Sequence, residues 1–101
     1  MIKTTIVYRH NLINSIEVKG HAGSGPKGHD LVCAAVSAII TGGAGALPDG
    51  KYKAEFKPGY ALIELNESDE ECSKVLNTVR VQLITVQNSY PDFIKITEMD
   101  K

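Results

Sequence analysis

A histidine and a cysteine twelve positions apart, His21 and Cys33, are the residues of this chain best suited to nucleophilic chemistry. A thiolate attacks carbonyl carbon, and an imidazole can take the thiol proton and later return it to a leaving group. The segment between them, Ala22-Gly23-Ser24-Gly25-Pro26-Lys27-Gly28-His29-Asp30-Leu31-Val32, carries glycine at Gly23, Gly25 and Gly28 and is flexible enough to bring the two side chains together. Asp30 is placed to cap a helix that starts at Leu31, its carboxylate accepting a hydrogen bond from a backbone N–H one turn on. Cys33 then falls at the third helical position, where unpaired N–H groups and the positive end of the helix dipole favour a thiolate. The Asp30 carboxylate opposes that charge, and a protonated His21 would offset it as the partner of an ion pair.

Each of these residues also has a plainer reading. Cys33 can be one more small apolar residue of a buried helix, as free cysteines commonly are. His21 directly follows a strand, bracketed by Gly20 and Ala22, and could be a surface histidine bonded to the loop. His29 competes with it as a base, but adjoins the cap residue and is expected to point outward. Ser37 lies one turn beyond Cys33 on the same helix face, where its hydroxyl could bond the Cys33 carbonyl or help to orient a substrate or the histidine. Cys72 belongs to the apolar stripe of a second helix and reads as core. The Gly23–Gly28 loop could cradle a phosphate, yet it lacks the Gly-Lys-Ser/Thr ending of a P-loop, and Pro26 removes one donor. A mixed metal site of His21, His29, Asp30 and Cys33 would lack a second Cys/His pair at ligand spacing, so no metal or other cofactor is expected.

The elements that must position these groups follow from the apolar patterning. Ile2–Tyr8 is β-branched and reads as a strand, Arg9-His10-Asn11 as a turn with a solvated His10, and Leu12–Lys19 as the antiparallel partner. The helix from Leu31 to about Ile40 is apolar on nearly every face, which predicts a place in the middle of the fold, ended by Gly42, Gly43 and Gly45. Lys51–Lys57 alternates Tyr52, Ala54 and Phe56 with charged positions, a half-buried strand whose lysines form the wet face. Pro58-Gly59 turns the chain back into Tyr60–Leu65. Asn66, Ser68 and Asp69 offer caps for a second helix reaching Ser89, with one stripe at Cys72, Val75, Leu76, Val79, Leu83, Val86 and Tyr90. Pro91 ends it, and Phe93–Thr97 is a last strand. The order ββαββαβ is that of an α+β domain, with two helices packed on a mostly antiparallel or mixed sheet.

At 101 residues one domain spanning 1–101 is expected, able to hide roughly two-thirds of its chain surface without staples. Eleven basic against 12 acidic residues leave no basic stripe for nucleic acid. Two cysteines are too few for a disulfide scaffold, and no run of apolar residues reaches the length of a leader or a membrane span, so a cytoplasmic protein with reduced thiols is expected.

Two blocks, Gly20-His21-Ala22 and Gly28-His29-Asp30-Leu31-Val32-Cys33-Ala34-Ala35-Val36-Ser37, resemble the signature of the Prp family, the ribosomal-processing cysteine proteases of Firmicutes and related bacteria. The resemblance extends over the chain in length and element order. It implies a cytoplasmic endopeptidase that removes an N-terminal extension from a large-subunit ribosomal protein, number twenty-seven of that subunit, after a phenylalanine. It implies Cys33 as nucleophile and His21 as base, with Asp30 and Ser37 in support. It further implies a homodimer whose glycine-rich loop, with Gly23, Gly25 and Gly28, is ordered by substrate. The loop's own sequence leaves the roles of Lys27 and His29 open. The competing class is a non-catalytic module of ribosome assembly with Cys33 in its core.

Overall fold

The computed structural model describes residues 1–23, 25 and 30–101. Five strands form one sheet in the order β3-β4-β2-β1-β5. They are β1 (Ile2–Arg9), β2 (Leu12–Lys19), β3 (Tyr52–Lys57), β4 (Tyr60–Leu65) and β5 (Ile94–Asp100), with α1 (Leu31–Gly45) and α2 (Glu70–Ser89) between them. The expected ββαββαβ order and α+β class are what the fold shows. The sheet is mixed: β5 runs parallel to β1, and every other pairing is antiparallel.

The first hairpin turns on His10 and Asn11, with φ of 55° and 64°. Two adjacent left-handed residues make the turn whose twist matches the strands it joins. His10 is exposed there, as a turn residue should be. Ile6 pairs with Ile16 and Thr4 with Val18, and Ile16 in turn pairs with Ile63. Alternation therefore sends Ile2, Ile6, Ile16, Val18, Ile63 and Ile94 to the helix side, where each is buried. Lys3, Lys53 and Lys95 stay exposed.

Helix α2 begins at Asp69, whose carboxylate accepts from the Cys72 N–H at 2.9 Å. That bond, and then Lys51, hold the Asp69 carboxyl below the usual aspartate range. Cys72, Leu76, Val79 and Leu83 are its buried stripe, while Tyr90 at the far end is exposed. The Ser73 hydroxyl, also buried, accepts from the Ile13 N–H at 2.8 Å and ties the helix to β2. Near the other end of the sheet Tyr8 donates to Glu98 at 2.6 Å, and Arg80 grips the same carboxylate, joining β1, α2 and β5. Arg80 first, then Tyr8, hold the Glu98 carboxyl below its ordinary range.

Helix α1 differs from its expected form in two ways. It continues to Gly45 through Gly42 and Gly43 instead of ending near Ile40. A Cβ at Gly43 would overlap Val79, so this glycine is where α2 approaches, and packing offsets the low helix propensity. Nor is α1 central. Val32, Val36, Ile40 and Ala44 are its buried residues, while Leu31 stands 72% exposed. One flank rests on α2 and the sheet, and the rest faces outward. Strand β3 likewise buries less than its alternation suggests: it is an edge strand, Ala54 is exposed and Phe56 is 49% exposed.

Thr4 is 1% exposed on the helix side of β1, and its Oγ1 has no hydrogen-bond partner among the described residues. An unmade buried bond costs about 1–3 kcal/mol, whereas a methyl in the same place costs none of it. Thr4→Val should therefore raise stability by about 1 kcal/mol in denaturant unfolding. A destabilised variant would show that the hydroxyl is satisfied in solution.

Candidate active site

Asp30 has the extended backbone of an N-cap, and its Oδ1 accepts from the Cys33 N–H at 2.9 Å. The cap fixes the first turn of α1 and so the direction in which Cys33 leaves it. The chain arrives from β2 through Gly20, whose φ of +96° carries it past β1: a Cβ there would stand 2.5 Å from the Met1 carbonyl oxygen. The Gly20 N–H donates to the Gly59 carbonyl at 2.8 Å, which ties the exit of β2 to the β3–β4 turn. His21 follows immediately and is exposed. The next residue, Ala22, is buried, and its N–H donates to Cys33 Sγ at 3.3 Å.

His21 and Cys33 thus border the same cavity of about 270 Å³. Val36, Ser37 and Ile40 of α1 form one wall, Val18 and Ala61 its sheet side, and Phe56 to Tyr60 of the hairpin the opposite rim. The lining is mostly apolar, with the Cys33 thiol, the His21 imidazole, the Lys57 ammonium and the hydroxyls of Ser37, Thr41 and Tyr60 as its polar side-chain groups. An apolar cavity bordered by a thiol can bury a substrate side chain while a carbonyl lies at the sulfur.

The expected residues separate clearly. Cys33 packs on the margin of the core yet opens to the cavity; it is half-buried. Cys72 is 1% exposed in the core, and burial, then the Asp69 carboxylate, push its thiol up, which keeps it protonated. Ser37 lines the cavity on the same helix face as Cys33. Its hydroxyl does not bond the Cys33 carbonyl among the described residues, whereas Thr78 and Thr85 of α2 bond the carbonyls four positions back. Gly23 has a φ of +72° with open space around it. Gly28, Lys27 and His29 lie outside the described residues.

Four contributors were not legible in the spacing of chemical residues. The Ala22 N–H reaches the sulfur, and Phe56, Gly59 and Tyr60 come from a hairpin distant in sequence. The Pro58-Gly59 pair marked a turn, but nothing local indicated that the turn lies across from His21.

A half-buried thiol at a capped helix N-terminus, sharing a cleft with an imidazole, has the form of a cysteine hydrolase. The comparisons with known proteins agree with this class. The family described as cysteine protease Prp matches residues 1–95. The ribosomal processing cysteine protease Prp of Mycoplasma genitalium is 40% identical over 88 residues, covering 84% of this chain and 88% of its own. That of Mycoplasma pneumoniae is 36% identical and covers 100% of this chain and 98% of its own. Among solved structures, the essential ribosomal processing protease Prp from Staphylococcus aureus with a covalently linked product peptide superposes with a TM-score of 0.89. It is 27% identical and covers 97% of this chain and 99% of its own. The chain belongs to the Prp family and is a cysteine protease. The competing reading as a non-catalytic module of ribosome assembly falls with that membership.

Replacing an N-cap aspartate by alanine typically costs about 1 kcal/mol, and by asparagine little. Asp30→Ala should lower the melting temperature by roughly 4–8 °C, and Asp30→Asn should stay near wild type. Equal losses in the two variants would show that Asp30 acts through its charge and not as a cap.

Proposed function

We propose that this protease removes a short N-terminal extension from a large-subunit ribosomal protein, number twenty-seven of that subunit, cutting after phenylalanine, with Cys33 as nucleophile and His21 as general base. The observation that carries the assignment of the two residues is their shared cavity, set against a second thiol sealed in the core. The substrate rests on the resemblance of the two sequence blocks and on the names of the relatives, which are ribosomal processing proteases. An apolar cleft rimmed by Phe56 and Tyr60 is compatible with an aromatic residue beside the scissile bond.

The reaction follows from the groups present. His21 takes the Cys33 thiol proton, and Sγ attacks the scissile carbonyl carbon, whose π-bond electrons move to oxygen. The Ala22 N–H, 3.3 Å from the sulfur, stabilises the thiolate before attack and is near enough to follow the charge onto the oxyanion. The Cys33 N–H is held by Asp30. The first helical N–H groups, of Leu31 and Val32, lack intrahelical partners by the geometry of a helix start and serve in this reading as further donors. Collapse of the tetrahedral intermediate breaks the C–N bond, and His21 gives its proton to the leaving amine. Water, deprotonated by His21, then cleaves the thioester and regenerates the thiol.

Asp30 supports this chemistry by fixing the helix start, and Ser37 by presenting a hydroxyl to the cleft beside Cys33. The stretch with Gly23, Gly25 and Gly28 joins base to nucleophile, and in this reading it gates the cleft until peptide is bound. The same resemblance supports a homodimer, a cytoplasmic location, and a protein substrate rather than a nucleic acid. No helix among the described residues is long and apolar enough to cross a membrane.

Incubating wild type and Cys33→Ala with the extended ribosomal protein should give one cut after phenylalanine that the variant loses, with products read by mass spectrometry. A Cys33→Ala protein that still cleaves would overturn the assignment of the nucleophile.

A further inference from the structure

The edge of the His21 ring rests over Gly59. A Cβ built on Gly59 would stand 2.8 Å from Nε2, 3.3 Å from Cε1 and 3.4 Å from Cδ2. The first distance is too short for any real contact, so a side chain there would force the ring to move. No described residue hydrogen-bonds the imidazole, although in a typical cysteine–histidine pair a third group orients the base. Its placement is therefore steric, and the surface it rests on is a glycine.

That surface is held firmly. Gly59 has a φ of +70°, in the Pro58-Gly59 turn between β3 and β4. Its carbonyl accepts from the N–H of Gly20, the residue just before His21. The strand pair closing the turn is Lys57 with Tyr60. The Lys57 ammonium lies 5.7 Å from the Tyr60 ring centroid and also pairs with Glu55, while the Tyr60 hydroxyl donates to Glu17 on β2 at 3.2 Å. The turn is thus bound to the very strand from which His21 emerges.

We propose that Gly59 is a positioning residue for catalysis, its missing side chain forming the seat that sets the His21 imidazole relative to Cys33. The proposal rests on the reading of His21 as the base. Gly59 is needed for two separable reasons, the left-handed backbone and the space for the ring. Gly50 shares the first alone: its φ is +82°, and a Cβ there meets nothing within 4 Å.

The test compares Gly59→Ala, Gly59→Asn, Gly50→Ala and His21→Ala in steady-state cleavage of the extended ribosomal protein. Asparagine tolerates the left-handed conformation yet still carries a Cβ, so Gly59→Asn keeps the test valid if the alanine variant folds poorly. Both Gly59 variants should lose kcat by on the order of 100-fold, the cost of a misplaced catalytic group, with KM within about twofold of wild type. Gly50→Ala should keep wild-type kcat and KM. In wild-type protein, a nuclear Overhauser contact should join the His21 ring protons to the Gly59 Hα protons.

Gly59 variants with the kinetics of Gly50→Ala, while His21→Ala is inactive, would overturn the positioning role and leave His21 as base. A loss confined to KM would overturn it too, reducing Gly59 to a wall of the peptide cleft. Absence of the Overhauser contact would remove the seat itself. Full activity in His21→Ala would refute the reading of the base, and this proposal with it.

Discussion

The hydrogen bond from the Gly20 N–H to the Gly59 carbonyl, 2.8 Å long, is the joint on which the site depends. It fastens the end of β2 to the tip of the β3–β4 hairpin at the point where the chain leaves the sheet to cross the N-terminus of α1. Because Gly20 is held, His21 emerges beside the hairpin and the Ala22 N–H meets the Cys33 sulfur. The crossing needs Gly20 to have no side chain, because a Cβ there would strike the Met1 carbonyl, and a Cβ on Gly59 would displace the imidazole.

On the far side, the position of the sulfur is set by helix capping. Asp30 satisfies the Cys33 N–H, which would otherwise be an orphan donor, and so starts the helix at a defined residue. Core packing then fixes the helix itself. Val32, Val36 and Ile40 are buried in the core, and Gly43 lets α2 come close enough to brace the helix. The two catalytic candidates are thereby carried by different supports, the histidine by a sheet and hairpin, the cysteine by a capped helix. A stretch of glycine-rich chain joins them.

Much of this was legible in the sequence, where the cause is local. The cap at Asp30, a cap among Asn66, Ser68 and Asp69 that proves to be Asp69, the turn at Arg9-His10-Asn11 and the alternation of β1 and β2 each follow from residues within a few positions of one another. The pairing of His21 with Cys33 in one cleft was readable as a possibility, because glycines between them left the geometry open. Where the cause is tertiary, the sequence was silent or misleading. Glycines 42, 43 and 45 suggested an early end to α1, but contact with Val79 keeps the helix going. Uniform apolarity suggested a central helix, yet small residues such as Ala34 and Ala38 are cheap to expose, and α1 lies at the surface. Phe56 looked half-buried by alternation, but it sits on the edge strand, is 49% exposed, and lines the cleft.

The central claim is that Cys33 is a working thiol governed by His21, and selective alkylation tests it most directly. Folded wild type and His21→Ala would be exposed briefly to iodoacetamide near neutral pH, and each cysteine read by peptide mapping. Cys33 should be modified and Cys72 protected in wild type, with Cys33 reacting more slowly once the imidazole is removed. Equal Cys33 rates in the two proteins, or a Cys33 as protected as Cys72, would contradict the account.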